Sequence, residues 1–254
     1  MVSRLNIKLS KKLQGGWDEM KKINLLSIKK VEEELFTKSS LFEKVASVLR
    51  LNENFHRYTH DVINRNSELI VSPVQATLVV LGKINDGKII SKSGKEIDLK
   101  EVIGRSANLF LDGFYFNFYL SPRDKHYWRI PYDGKIVSTT INNGTAVVPI
   151  MVGLERFFPK IDFFEKAIKR NATIGSVFKT KDFFYAMIAV GSLNVNGIHV
   201  INKKSKEYKK GEVGGYFNIG SSMLLCFSEY PLKSLINIRT KVNIGNSIME
   251  ILTK

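Results

Sequence analysis

Two adjacent serines, Ser221 and Ser222, follow a glycine and come directly before the apolar run Met223–Phe227. Because Gly220 has no side chain, a serine hydroxyl can approach the preceding carbonyl carbon with little steric hindrance. Such a hydroxyl can attack its own upstream peptide bond to give an ester, whose elimination cuts the chain and leaves a pyruvoyl group. The simpler interpretation of the same residues is a glycine turn that leads into a core strand, and these residues alone favour it.

The four histidines are the other candidates for proton chemistry near neutral pH. His56 and His60 are four residues apart and can share a helix face, but they lack the further ligands of a metal site, so we predict no metal. His126 lies in the stretch Lys125–Arg129, where basic and aromatic residues interleave. That texture is used by single-strand nucleic-acid binders, and it is equally typical of an amphipathic edge strand.

Composition limits the function further. The 254 residues carry a net charge of +15, which favours an anionic partner, either nucleic acid or an acidic membrane surface. The single cysteine, Cys226, excludes an internal disulfide and a cysteine-cluster metal site. The sequence contains no Gly-rich phosphate loop, no HExxH pair and no GxSxG elbow, so nucleotide hydrolysis, zinc peptidase and hydrolase functions have no residues to support them.

Residues 1–66 are predicted to be a basic helical segment. Helical spacing of apolar residues between Asp18 and Leu51 indicates two short amphipathic helices, interrupted near Ser39 and Ser40. Such helices can lie on anionic lipid or pack on the main domain, and both alternatives stay open. The sequence starts without a signal-peptide pattern, and its longest apolar stretch, Phe183–Val190, is too short to span a membrane. We therefore expect a cytoplasmic protein that is peripheral on the membrane.

Residues 67–254 read as a β-rich domain of antiparallel or mixed strands and hairpins, so the predicted fold class is α+β. The predicted strands are Leu69–Val71, Thr77–Leu81, Phe114–Leu120, Lys135–Thr140, Ala146–Val152, Ile174–Val177, Phe183–Val190 and Met223–Phe227. Hairpin turns are predicted at Asn85–Gly87, Leu111–Gly113, Tyr132–Gly134 and Asn142–Gly144. One short helix is predicted over Asp162–Arg170.

Several motifs, taken together, resemble the phosphatidylserine decarboxylase family. Lys210–Phe217 resembles the family's KGEEMGRF, and Ile219–Ser222 resembles the LGST motif at which the proenzyme cuts itself. Tyr119–Asp124 with His126 resembles YLSPRDYHR. Further matches occur at Leu69–Pro73 (SPADG), Arg170-Asn171 (ARNER), Ala189–Ser192 (LVGAT) and Val242–Gly245 (KxGxxLG). The similarity extends over roughly residues 68 to 250 in the family's order.

The resemblance implies a lyase that converts phosphatidylserine to phosphatidylethanolamine and acts at an anionic phospholipid membrane surface. Self-cleavage between Gly220 and Ser221 would turn Ser221 into the pyruvoyl cofactor, an electron sink that lets the substrate carboxylate leave as carbon dioxide. His126 matches the family histidine that serves substrate binding and decarboxylation. The family commonly dimerises, so a homodimer is implied as well, and no nucleic-acid partner is expected.

Two positions depart from the family pattern where the family self-processes. The aspartate of SPADG is matched by Gln75, and the second histidine of HRVHMP is matched by Arg129. Glutamine has no charge to stabilise an imidazolium, and arginine stays protonated and cannot accept the serine proton. We expect an active decarboxylase, because self-processing need occur only once per molecule. The alternative is an uncleaved, inactive homologue that binds anionic phospholipid.

Overall fold

The computed structural model describes residues 60–121, 123–144, 148, 150, 163–191, 198–201, 206–217 and 221–252, with only the backbone described at Ser221. The N-terminal helices predicted within residues 18–51 lie outside these ranges. His56 and the cleavage residue Gly220 lie outside them too.

Strands make up most of the described chain. They are β1 (Leu69–Val71), β2 (Ala76–Asn85), β3 (Lys88–Ile90), β4 (Glu96–Asp98), β5 (Asp112–Leu120), β6 (Tyr127–Arg129), β7 (Gly134–Asn142), β8 (Thr173–Lys179), β9 (Phe184–Gly191), β10 (Ile198–Val200), β11 (Glu207–Tyr208), β12 (Val213–Phe217), β13 (Ser221–Ser228), β14 (Leu232–Ser234), β15 (Lys241–Val242) and β16 (Ser247–Ile251). The helices are α1 (Lys100–Ile103), a 3-10 helix (Gly104–Phe110) and α2 (Phe163–Arg170).

One large antiparallel sheet of ten strands organises the molecule. Its order is β11-β7-β8-β9-β13-β5-β2-β3-β4, and β15 pairs with β2. Two small sheets, β10-β12-β6 and β1-β16-β14, complete the described strands. β13 lies near the middle of the large sheet, paired with β5 on one side and β9 on the other. A strand buried on both faces needs apolar residues at every position, which explains the run Met223–Phe227.

Side chains of β13 alternate between two hydrophobic cores, as the two-residue period of a strand requires. Met223 and Leu225 pack in the core that the two small sheets cover, and Leu224 and Cys226 pack in the core that the helices cover. The sheet is therefore sandwiched between small sheets on one face and helices on the other. The helices in the described ranges, of which the longest α-helix has eight residues, are too short to cross a bilayer.

Most of the predicted elements are confirmed within the described ranges. β1 matches its prediction residue for residue, and the helix predicted over Asp162–Arg170 is α2. The turn at Asn85–Gly87 forms a tight hairpin in which Asn85 pairs with Lys88 and Gly87 has a φ of 69°. Positive φ is what that two-residue hairpin loop requires.

Two of the predicted hairpin turns are wrong. Leu111–Gly113 leads from the 3-10 helix into β5, and Gly113 is needed because a β-carbon there would lie 2.0 Å from the Phe227 carbonyl oxygen. Tyr132–Gly134 connects β6 to β7, which belong to different sheets. In the strand predicted over Ala146–Val152, residues 148 and 150 are irregular, and the others lie outside the described ranges.

Candidate active site

Ser221 is held in the sheet from both sides. It is the first residue of β13, where its backbone is paired with Leu120 of β5 and Gly191 of β9. Three residues, 218–220, join it to Phe217 at the end of β12. The bond predicted to be cut therefore lies in a short connection between two strands of fixed position.

The backbone of His126 fixes the other end of that connection. Phe217 N–H donates a hydrogen bond of 2.8 Å to the His126 carbonyl. Four peptide steps separate Phe217 from Ser221, and they span at most about 15 Å. His126 also follows Leu120, the register partner of Ser221, by only six residues. The structure thus brings two of the predicted catalytic residues to one end of the sheet.

The second serine of the motif is engaged in structure. Ser222 is fully buried, and its hydroxyl lies 2.7 Å from the Phe118 carbonyl oxygen and 3.0 Å from the Asn117 amide oxygen. A hydroxyl that donates to a core carbonyl is unsuited to attack a peptide bond. Of the two serines, Ser221 is therefore the better candidate for the nucleophile.

The tautomer of His126 follows from its hydrogen bonding. The ring is fully buried, and Nδ1 lies 2.8 Å from the Asp124 carbonyl oxygen. Because a carbonyl only accepts, Nδ1 carries the hydrogen, and Nε2 is the basic nitrogen of the neutral ring. His126 can accordingly accept or deliver a proton through Nε2.

The loop that carries His126 is fixed by the Asp124 carboxylate. Its Oδ2 accepts hydrogen bonds from Ser121 N–H at 2.9 Å and Ser121 Oγ–H at 2.8 Å. Its Oδ1 lies 2.9 Å from the Lys241 ammonium nitrogen, and the carboxylate is almost entirely buried. Lys241 belongs to the chain after the predicted cleavage point, so this ion pair joins the two predicted products.

Asn171 anchors the strand on the other side of Ser221. Its buried amide donates to the Gly191 carbonyl at 2.8 Å and exchanges two hydrogen bonds, of 2.6 and 2.7 Å, with the backbone of Val148. Gly191 is the register partner of Ser221 in β9. Asn171 therefore positions the backbone beside the cleavage point, which gives a physical role to the Arg170-Asn171 match.

Gln75 lies beside the histidine loop. Its amide oxygen accepts the Lys125 N–H at 3.0 Å, and its amide nitrogen donates to the Asn243 side-chain oxygen at 2.9 Å. The residue at this position is therefore next to the backbone that leads into His126. Here it bridges the two predicted products through neutral hydrogen bonds.

Arg129 is part of a buried charge cluster that we call the Asp61 cluster, formed by Asp61, Lys125, Tyr127 and Arg129. The Asp61 carboxylate is 2% exposed and accepts from Lys125 Nζ at 2.6 Å, Tyr127 Oη at 2.5 Å and Arg129 Nε at 2.8 Å. Arg129 also donates to the Gly211 carbonyl at 2.9 Å. Its guanidinium thus forms an ion pair with Asp61 and fixes the loop that precedes β12.

The loop before β12 is held by residues 60–69 as well. Lys210 is buried, and its ammonium donates to the Asn66 carbonyl at 2.5 Å and the Leu69 carbonyl at 2.6 Å. Burial lowers the pKa of Lys210 from its ordinary value, against the raising effect of the Asp133 charge. Arg65 donates to the Lys210 carbonyl. The motif Lys210–Glu212 therefore fixes the position of β12, the strand that leads to the predicted cleavage point.

A narrow apolar cavity lies between the small sheet of β6 and the large sheet. Trp128, Phe178 and Met223 line it, and with about 10 Å³ for the centre of a water molecule it has room for roughly one water. Met223 is two residues from Ser221. The cavity is too small for a fatty acyl chain.

Comparison with known proteins identifies the family. The profile of the phosphatidylserine decarboxylase family matches residues 51–250. The chain belongs to this family. It is 29% identical over 180 residues to a phosphatidylserine decarboxylase proenzyme of Legionella pneumophila, covering 63% of this chain and 61% of that protein.

Two further family members give similar figures. The proenzyme of Brevibacillus brevis is 28% identical over 220 residues, covering 77% of this chain and 76% of the relative. That of Halalkalibacterium halodurans is 31% identical over 170 residues, covering 66% and 62%. The matched part is therefore less than two thirds of the length of the Legionella and Halalkalibacterium proteins.

Sequence reasoning missed Asp61 and the positioning role of Asp124. Asp61 is separated from Arg129 by 68 residues, and a single carboxylate in a polar stretch has no periodicity that would single it out. The alternation of side chains along β6 was the one sequence signal that could have indicated a structural role for Arg129. It places Tyr127 and Arg129 on one face and Trp128, a core residue, on the other. Tyr127 and Trp128 are both buried and form no exposed stacking surface.

Proposed function

We propose that this protein is a phosphatidylserine decarboxylase that makes its own pyruvoyl group from Ser221. The observation that carries the proposal is the fixed backbone on both sides of the Gly220–Ser221 bond. Ser221 is paired in the centre of the large sheet, and Phe217 is bound to the backbone of His126. Membership of the family, whose relatives are named proenzymes, supports the same function.

Self-cleavage proceeds as an acyl shift followed by elimination. The Ser221 hydroxyl attacks the Gly220 carbonyl carbon, the C–N bond breaks and the amine nitrogen takes the hydroxyl proton. The Cα proton of residue 221 then passes to water and the Cβ–Oγ bond breaks, so that Oγ leaves with the carboxylate of Gly220 and residue 221 becomes a dehydroalanine. Water replaces the nitrogen of the dehydrated residue as ammonia leaves, and a pyruvoyl group remains.

The residues around position 221 fit such a group. β13 is paired with β5 from Ser221 to Ser228 and with β9 from Ser221 to Phe227, so the new N-terminus stays in place when the bond before it is cut. The pyruvoyl carbonyl supplies an electron sink for the pair that remains when carbon dioxide leaves. His126 holds its Nδ1 hydrogen against Asp124 and delivers a proton to the reacting carbon from Nε2.

Gln75 and Arg129 make the self-cleavage step slower in this proposal. Loss of a triad member costs several powers of ten in rate in other enzymes, but each molecule needs to be processed only once. The phosphatidylserine substrate lies in an anionic membrane surface, which agrees with the net charge of +15.

The intact mass of the purified protein tests the proposal. We expect two chains, residues 1–220 and 221–254, with the smaller blocked to N-terminal sequencing by its pyruvoyl group. Ser221→Ala should keep the chain whole, whereas Ser222→Ala, the matched control, should still allow cleavage. Release of carbon dioxide from phosphatidylserine should accompany cleavage. A wild-type protein that stays at full length and releases no carbon dioxide refutes the proposal.

A further inference from the structure

A surface turn near the Ser221 end of the sheet combines exposed apolar and basic side chains. We call it the basic turn and define it as residues 233–241, which run from the end of β14 to the start of β15. Leu235 and Ile238 are 43% and 56% exposed. Arg239 is exposed beside Ile238, and Lys233 is exposed in β14, where its register partner in β16 is Glu250.

The turn presents these side chains rigidly. Thr240 N–H donates to the Asn237 carbonyl at 3.1 Å, which closes a four-residue β-turn with Ile238 and Arg239 at its centre. Arg239 N–H donates to the Leu78 carbonyl at 2.7 Å, and Leu78 N–H donates to the Thr240 carbonyl at 2.9 Å. The turn is thus fixed on β2, and little conformational freedom is lost when its tip binds a partner.

Arg239 occupies a backbone conformation that favours glycine. Its φ is 69°, and the third position of a turn with positive φ is normally glycine or asparagine. An arginine there costs folding free energy, because its Cβ crowds the backbone in the left-handed region. The positive charge at the tip is therefore present despite a structural penalty, which points to a binding role.

The basic turn lies at the same end of the large sheet as Ser221. Leu78 of β2 is paired with Phe118 of β5, and Phe118 is paired with Met223 of β13, two residues from Ser221. Neighbouring strands are about 4.8 Å apart, so the anchor of the turn on β2 lies about 10 Å from β13. A bilayer that touches the turn has its head groups close to the candidate active site.

We infer that the basic turn is a membrane-docking site, in which Leu235 and Ile238 enter the head-group region of an anionic bilayer while Arg239 binds its phosphates and carboxylates. The inference rests on the proposed function, because it identifies the surface from which the substrate lipid reaches the site. The positive charge of the turn indicates that its partner is anionic. An aliphatic tip that carries an exposed arginine matches the apolar interior and negative surface of an anionic bilayer. It adds a contact to the one predicted for residues 1–66.

Co-sedimentation of the full-length protein with phosphatidylcholine vesicles containing about 30 mol % phosphatidylserine tests the apolar contact. Replacing both aliphatic residues, Leu235→Ser with Ile238→Ser, should weaken partitioning about tenfold. The matched control is Val137→Ser with Ile141→Ser, two residues of β7 that are 47% and 46% exposed. It should leave partitioning unchanged.

Arg239→Gly tests the charge and separates binding from folding. Glycine suits the positive φ, so the melting temperature should not fall, while removal of one charge should weaken binding to the anionic vesicles about fivefold. Binding to pure phosphatidylcholine vesicles should stay unchanged. The inference is overturned if the basic-turn variants bind as the wild type does, if the β7 control loses as much, or if the variants change self-association instead.

Vesicle binding requires no self-cleavage, so this result and that of the proposed function are independent. The same series is measured in the Ser221→Ala background, in which the chain stays whole. Loss of binding there supports docking by the basic turn even if wild-type cleavage fails. Unchanged binding there refutes docking even if cleavage occurs.

Discussion

At the scale of single residues, Arg129 has a structural role at the position where the family resemblance predicts a histidine. Its guanidinium is 4% exposed and forms an ion pair with the equally buried Asp61, and it also holds the Gly211 carbonyl. A group that is permanently protonated and fixed in this way cannot take a proton from a serine. Arg129 is therefore a positioning residue for the loop that leads to the cleavage point.

Asp61→Asn tests this role. The change keeps the size of the side chain but leaves the Arg129 and Lys125 cations buried without their counter-charge. Breaking a buried ion pair on one side costs about 3–5 kcal/mol, so the melting temperature should fall by roughly 10 °C. The control is Glu96→Gln, which removes the exposed Lys88–Glu96 pair and should cost less than about 1 kcal/mol. Equal shifts in the two variants would show that the Asp61 cluster contributes no more than a surface pair.

The sequence could predict the candidate nucleophile and the histidine but not their supports. Ser221 and His126 lie in short contiguous motifs, which a single chain displays directly. Asp61 acts through partners 64 to 68 residues away, and no local spacing relates them. Asn171 was matched by motif alone, and its amide bridge to Gly191 becomes visible only when β8 and β9 are paired.

At the scale of elements, the loop that contains Lys209 and Lys210 is fixed by the Asp133 carboxylate. Asp133 accepts the Lys210 N–H at 2.7 Å and the Lys209 ammonium at 3.0 Å. Burial alone would raise the pKa of Asp133, but these hydrogen bonds and the two lysine charges outweigh it and lower that pKa below its ordinary value. The carboxylate therefore stabilises the loop in its charged form.

The lowered pKa of Asp133 makes part of the folding stability dependent on pH. A carboxylate whose pKa is lower in the folded protein contributes stability that is present above its ordinary pKa of 3.8 and is lost as the pH falls through its folded value. The wild type should melt at a higher temperature than Asp133→Asn at pH 7, and the difference should shrink as the pH falls below about 4. Thermal unfolding followed by circular dichroism between neutral and acidic pH measures it. A difference that stays constant over this range contradicts the assignment.

The longer elements were predictable, and the shortest were not. β5, β8 and β9 have runs of β-branched and aromatic residues, and β13 has the apolar run Met223–Phe227, as burial on one or both faces requires. β11 and β15 have two residues each, and their extent is set by the strands they pair with. Such pairing joins distant parts of the chain, so the local sequence carries no sign of it.

At the scale of the whole molecule, the proposed cleavage divides one fold between two chains. The smaller chain, residues 221–254, would contribute β13 to the centre of the large sheet, β15 to its β2 side, and β14 and β16 to the sheet that includes β1. The ion pair of Lys241 with Asp124 and the hydrogen bond of Gln75 with Asn243 add side-chain contacts between the chains. The two products therefore share their hydrophobic cores, and neither has a complete one of its own.

The cleaved protein should accordingly remain a two-chain complex, and Cys226 reports on it. This thiol is the only one in the sequence, lies fully buried in β13, and has its pKa raised by burial. It should resist a thiol reagent at pH 8 before and after cleavage, because both burial and the raised pKa keep it from reacting as a thiolate. In guanidinium chloride the smaller chain should separate on gel filtration, and the thiol should react fully.

The Ser221→Ala protein, which stays whole, is the control and should show the same protection without chain separation. Loss of the smaller chain under native conditions, or rapid labelling of Cys226 after cleavage, would mean that β13 leaves the sheet once the bond before it is cut.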